Sequence, residues 1–154
     1  MCHAPHGSDG SHLNEAVVLG PDGQELHRHR KLSRYTDEHG TVEHITTGST
    51  LTVLETPCGH LATPICLDVF AEASKALLLA SHATVLLVPS LSKKVSAHRD
   101  ASRAFATDRW GSTFVCNRTV RGFNLDAPSF HWPPLRDTPH EHDGTTPQLW
   151  FRLG

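Results

Sequence analysis

The amino-acid sequence predicts an α/β layered domain, and three observations carry that reading. Near the N-terminus, apolar and alternating runs are separated by turn residues, the pattern of hairpins. From about residue 66 to 118, helical and strand patterns alternate. Among them "TVLLVPS" (84–90) is a short continuous apolar run, typical of a strand covered on both faces.

Each element follows from its own stretch. Residues 1–13, rich in His, Gly and Ser, are expected to be a disordered arm, with the domain over 14–154. "EAVVLGPDGQELHRHRKL" (15–32) reads as strand, turn and strand, with Asp22-Gly23 supplying the positive-φ turn. Residues 33–49 are polar and without period, so they are expected to form a long loop. "TLTVLETPCGHLATPICL" (50–67) gives two strands around "TPCGH". In "FAEASKALLLASHA" (70–83), Phe70, Ala73, Leu77 and Ala80 share a helical face. "SAHRDASRAFATDRWG" (96–111) turns Ala101, Ala104 and Phe105 inward and ends at Gly111, a residue suited to a helix C-cap. "STFVCNR" (112–118) is a strand. The chain is then Pro-rich; "HWPPLRDTPHEHDGTTP" reads as a flexible, solvated loop, and "PQLWFRL" (147–153) as a last strand. A sheet covered on both faces needs helices on both, and two good helices do not suffice. The sequence looks like part of a domain.

The totals exclude several classes. At 38% hydrophobic and 19% charged residues, the composition is neither disordered nor fibrous. A net charge of −2 and no basic run argue against nucleic acid as a partner. No apolar run reaches the roughly 20 residues that a membrane helix needs. The N-terminus lacks a basic start and an apolar middle, so no signal peptide is read. Four scattered cysteines then suit free thiols in a reduced, cytoplasmic setting.

Cys66 raises the functional question, because it stands where the strand "TPIC" gives way to a helix. A reactive thiol needs a cation or a helix N-terminus beside it, since only the thiolate attacks. Lys31, closing a strand of the first hairpin, is the candidate cation. The bland alternative is that Cys66 is a small core residue and Lys31 a solvated strand end. The 13 histidines raise a second possibility: His27 and His29 share a strand face, Cys58 and His60 could share another, and with Cys66 they could hold zinc. Against this, no C-x2-C or H-E-x-x-H pattern appears.

Taken in order, these blocks resemble the nitrilase superfamily of carbon–nitrogen hydrolases. "NEAVVLGPDGQELHRHRKL" is similar to the segment leading to that family's catalytic lysine, here Lys31. "GSTLTVLETPCGHLATPICLD" resembles the block bearing its nucleophile, here Cys66, with Asp68 two residues on. "HATVLLVPSLS" and "ASRAFATDRWGSTFVCNR" resemble the strand, helix and Asn-ended strand that follow, so the likeness covers about 14–118.

The resemblance implies a nitrilase-like α-β-β-α layered sandwich whose N-terminal part is absent. It implies a Glu–Lys–Cys triad hydrolysing a small amide or nitrile through a cysteine acyl-enzyme, with no cofactor and no metal. Cys66 would attack, and Lys31 with the Leu67 backbone N–H would stabilise the oxyanion. Glu38, seven residues after Lys31, would be the second, assisting glutamate. Asp68 is read as structural, capping the helix that follows. The first glutamate lies upstream of the lysine block in that family, and neither Glu15 nor Glu25 matches it. A homo-oligomer is implied by the same resemblance. Two alternatives stand beside the hydrolase: a non-catalytic relic or interaction subunit, and a small zinc protein.

Overall fold

The computed structural model describes residues 10, 12–117 and 128–142. The expected last strand at 147–153 and most of the expected arm at 1–13 lie outside them. Within the arm, His12 is tied down: its N–H donates to His44 O, and its own carbonyl accepts from Thr46 N–H.

Among the described residues, two sheets and two α-helices make up the α/β fold. Strands β1 (Glu15–Leu19) and β2 (Glu25–Arg30) form an antiparallel pair with Glu15 opposite Arg30. The turn between them forms where expected. Gly23 takes φ +81°, a conformation that glycine adopts freely, and its N–H donates to Gly20 O. Residues 33–49 are a loop, as expected, with isolated bridges between Thr36 and Val42 and between Ile45 and His12.

The second sheet has the order β3-β4-β5-β6-β7-β8. β3 (Leu54–Thr56) and β4 (Gly59–Ala62) pair as a hairpin. β3 is shorter than the stretch from residue 50 suggested. A 3-10 turn (Cys66–Val69) and helix α1 (Glu72–Ala80) lead to β5 (Val85–Ser90). Helix α2 (Ser96–Arg109) leads to β6 (Ser112–Asn117). β4, β5 and β6 run parallel, so their C-terminal ends share one sheet edge.

Helix α1 is phased differently from the sequence reading. Ser74 and Leu78 are its buried residues, whereas Ala73 and Ala80 are exposed and Leu77 is 44% exposed. The 3-10 turn uses up residues 66–69 before the helix starts, and three successive leucines (77–79) let several faces look apolar. In α2, Phe105 is buried and Ala101 half-buried as expected, but Ala104 faces out and His98 and Ser102 lie inside. The left-handed cap falls on Trp110 (φ +54°) rather than on Gly111. Gly111 is required for space instead, because a Cβ there would sit 2.1 Å from Phe105 Cε1.

The stretch read as a solvated tail contains sheet. β7 (Phe130–Trp132) pairs antiparallel with β6, and β8 (His140–Glu141) pairs with β7. Phe130 and Trp132 are buried, and the Trp132 indole N–H donates to Arg136 O at 2.8 Å. Strands of three and two residues are too short to show a period of two, so pairing onto the sheet edge, β7 on β6 and β8 on β7, reveals them and pattern does not.

Candidate active site

Past the end of β4, Thr63, Pro64 and Ile65 are buried, and the chain then reverses at Cys66. Cys66 has φ +48°, the left-handed region that costs a non-glycine residue about 1–2 kcal/mol. Burial of the three preceding residues holds that conformation in place. Strain of this kind is retained where a site requires it. Here it sets a half-buried free thiol at the C-terminal edge of the parallel strands. In open α/β sheets that edge is where ligands bind.

Asp68 closes the turn. Its carboxylate has no solvent exposure and accepts the Ile65 N–H at 3.1 Å. The same carboxylate reaches the other sheet, accepting the Ser33 N–H at 2.8 Å and the Leu32 N–H at 3.1 Å. His29 Nε2 lies 3.3 Å from Asp68 Oδ2, and both side chains are buried. Asp68 is thus structural, as expected, but it caps the turn's own start and the end of β2 rather than helix α1.

Lys31 follows β2 directly, one and two residues before the two amides that Asp68 holds. Its N–H donates to Asn14 O at 2.9 Å, and its carbonyl accepts from Gly48 N–H at 2.8 Å. Its side chain is 5% exposed, and Nζ meets Glu43 Oε2 at 2.5 Å. Glu43 Oε2 also accepts the Tyr35 N–H at 3.1 Å, and Oε1 accepts from Asn14 Nδ2 at 3.4 Å. Glu43 thus gathers three donors: the Lys31 ammonium, the Tyr35 N–H and the Asn14 amide.

The structure does not bring Glu38 to this group. Its side chain is 84% exposed, with its carboxylate 3.7 Å from His39 Nε2. Glu38 lies within a polar turn organised by Asp37, whose Oδ1 accepts from His39 and Thr41 N–H. The carboxylate on Lys31 is Glu43, which the sequence reading missed. One signal pointed to it: in "VEHI", alternation puts Glu43 on the same side as Ile45, the buried apolar residue of this loop. Glu15 is committed elsewhere. Burial raises its proton affinity, but hydrogen bonds from Arg28 and Arg30 outweigh this and hold the carboxyl below its ordinary value.

Leu67 is the first residue after the thiol. Among the described residues, the turn's backbone hydrogen bonds run from Asp68 N–H to Ile65 O and from Phe70 and Ala71 N–H to Leu67 O. Those bonds leave the Leu67 N–H unused. At the same sheet edge, Asn117 ends β6 and exchanges two hydrogen bonds with Ser92, fixing the loop after β5. The histidines go to separate uses: His29 to Asp68, and His60 to a ring contact with His82. Among the described residues, no three His, Cys, Asp or Glu side chains group as metal ligands.

No family's sequence profile and no curated protein matches this chain. Solved structures do. A cysteine-to-alanine mutant of an amidase of the nitrilase superfamily from Nesterenkonia AN1 superposes with a TM-score of 0.72 at 20% identity. The match covers 90% of this chain and 55% of that one. Nit3 of Saccharomyces cerevisiae, from branch 10 of the superfamily, gives 0.64 at 20% identity over 82% and 47%. A glutamine-dependent NAD+ synthetase from Acinetobacter baumannii gives 0.66 at 18% over 91% and 30%. Another Nesterenkonia amidase structure carries the acetamide moiety of fluoroacetamide on its active-site cysteine. The fold is therefore that of nitrilase-superfamily structures, and this chain spans about half the length of the amidase and of Nit3.

Proposed function

We propose that this chain carries the cysteine and lysine of a carbon–nitrogen hydrolase site acting on a small non-peptide amide or nitrile. The observation that carries the reading is Cys66 at positive φ past β4, with the lysine-bearing strand end fastened to the same turn through Asp68. The covalent chemistry at the Nesterenkonia amidase's active-site cysteine supports it.

In this reading the Cys66 thiolate attacks the carbonyl carbon, a C–S bond forms, and the C=O π pair moves onto oxygen. The Leu67 N–H and the Lys31 ammonium steady that charge. Collapse of the intermediate breaks the C–N bond, and the nitrogen leaves as ammonia or an amine after taking a proton from a carboxylic acid. Water then cleaves the thioester, releasing the acid and restoring the thiol. Glu43 takes the assisting role first assigned to Glu38: it orients the ammonium and offsets its burial. The free thiols Cys58, Cys66 and Cys116 accord with a reducing, cytoplasmic setting. Among the described residues no helix is long and apolar enough to cross a membrane.

A second reading is a non-catalytic interaction subunit that holds thiol and ammonium, since a likeness at 18–20% identity carries the fold and not the activity. Ammonia release from simple amides and nitriles separates the two. The hydrolase reading expects release that Cys66→Ala abolishes. Equal, background-level release from both proteins would establish the second.

A further inference from the structure

We infer that Asp68 is a positioning residue that sets the Lys31 ammonium in place for the Cys66 thiol; this rests on the hydrolase reading of that pair. The two residues follow strands of different sheets, Lys31 after β2 and Cys66 after β4, and among the described residues no strand pairing joins those sheets. At this point a buried carboxylate joins them, with a Ser33 Oγ–Ser74 Oγ hydrogen bond of 3.2 Å beside it. On one side it accepts Ile65 N–H, adjacent to Cys66. On the other it accepts Leu32 and Ser33 N–H, adjacent to Lys31. His29 Nε2 supplies a further contact at 3.3 Å and braces the carboxylate from β2.

The carboxylate is fully buried, and a buried anion is retained only where donors satisfy it. Three backbone N–H groups and one imidazole do so here, which leaves Asp68 committed to this junction. An asparagine cannot replace it. Its single acceptor oxygen would serve one side, and its NH2 would face backbone donors on the other.

The test follows alkylation of Cys66 by iodoacetamide across pH, by peptide mass spectrometry so that Cys58 and Cys116 are scored separately. Removing a negative charge two residues from the thiol would, by electrostatics alone, ease thiolate formation and speed the reaction at neutral pH. The positioning role predicts the opposite. Asp68→Asn slows Cys66 alkylation at pH 7 by about tenfold and moves the pH profile upward, because Lys31 no longer holds its place. In a Lys31→Met background the same substitution no longer slows the reaction.

Faster alkylation of Asp68→Asn, or equal slowing with and without Lys31, overturns the inference. If Lys31→Met alone leaves the profile unmoved, the lysine–thiol pairing falls and the inference falls with it. A moved Lys31→Met profile beside an unmoved Asp68→Asn profile defeats the inference alone. Should Asp68→Asn fail to fold, His29→Phe and His29→Gln carry the same comparison. Phe, lacking a donor, slows Cys66, and Gln restores the rate. No difference between them counts against the role.

Discussion

Replacing Glu43 by alanine leaves the Lys31 ammonium almost wholly buried without its carboxylate, and two further donors, Tyr35 N–H and Asn14 Nδ2, without an acceptor. Removing one partner of a fully buried pair costs about 3–5 kcal/mol. The Glu43 side chain is 25% exposed, so water can reach part of the gap, and the expectation drops to about 2 kcal/mol. Glu38→Ala serves as the control: its carboxylate is 84% exposed, and the expected change lies within about 0.5 kcal/mol. Urea denaturation at pH 7 reads the difference. With a slope of about 2 kcal/mol/M, Glu43→Ala lowers the midpoint by about 1 M, while Glu38→Ala leaves it nearly unmoved. In a Lys31→Met background most of the Glu43 effect disappears, because no buried charge is left stranded. Equal effects at positions 38 and 43, or a Glu43 cost undiminished without Lys31, would refute the reasoning.

Three further outcomes follow from the structure. Cys66→Gly is expected to be more stable than Cys66→Ala by about 0.5–1 kcal/mol, the left-handed cost less glycine's entropy, as read by thermal unfolding of the two variants. Gly111→Ala drives a Cβ into the buried Phe105 ring, so a loss of about 2–3 kcal/mol and a melting temperature lower by roughly 5–10 °C are expected. His98 is buried, and burial pushes its imidazole down from 6.5 to about 4. The unfolded chain therefore takes up that proton first as pH falls. Stability present above pH 6.5 is lost between 6.5 and 4, by roughly 3 kcal/mol in all. A His98→Leu variant compared with the parent by urea midpoints at pH 7 and 4.5 should show a distinctly smaller acid loss.

The strand and helix order from β1 to β6 was legible because each element carries its own signal: Asp22-Gly23 for the first turn, the unbroken apolar run for β5, the amphipathic period for α2. What failed was set by contacts between distant residues. β7 exists through pairing on β6 and β8 through pairing on β7, and their composition looks like loop. The inward faces of both helices hold Ser74, His98 and Ser102, which hydropathy places outside and close packing places inside. At the site, the ordered blocks single out Cys66 and Lys31 as candidates. Glu38 was chosen by its distance along the chain from Lys31. The structure instead folds the loop so that Glu43, five residues later, meets the ammonium. Asp68 reads as structural, but apart from the local Ile65 N–H its donors come from residues 29–33, and no local pattern announces a bond across some 35 positions.

The most direct measurement is the burst of nitrophenolate on mixing the chain with p-nitrophenyl acetate, a probe whose leaving group needs no proton and so isolates the thiol and ammonium from any general base. The account predicts a burst with the acetyl group on Cys66, lost in Cys66→Ala and slowed about 100-fold in Lys31→Met, the scale of one oxyanion donor. Acetylation confined to Cys58 or Cys116, or a Cys66 burst indifferent to Lys31, would contradict it.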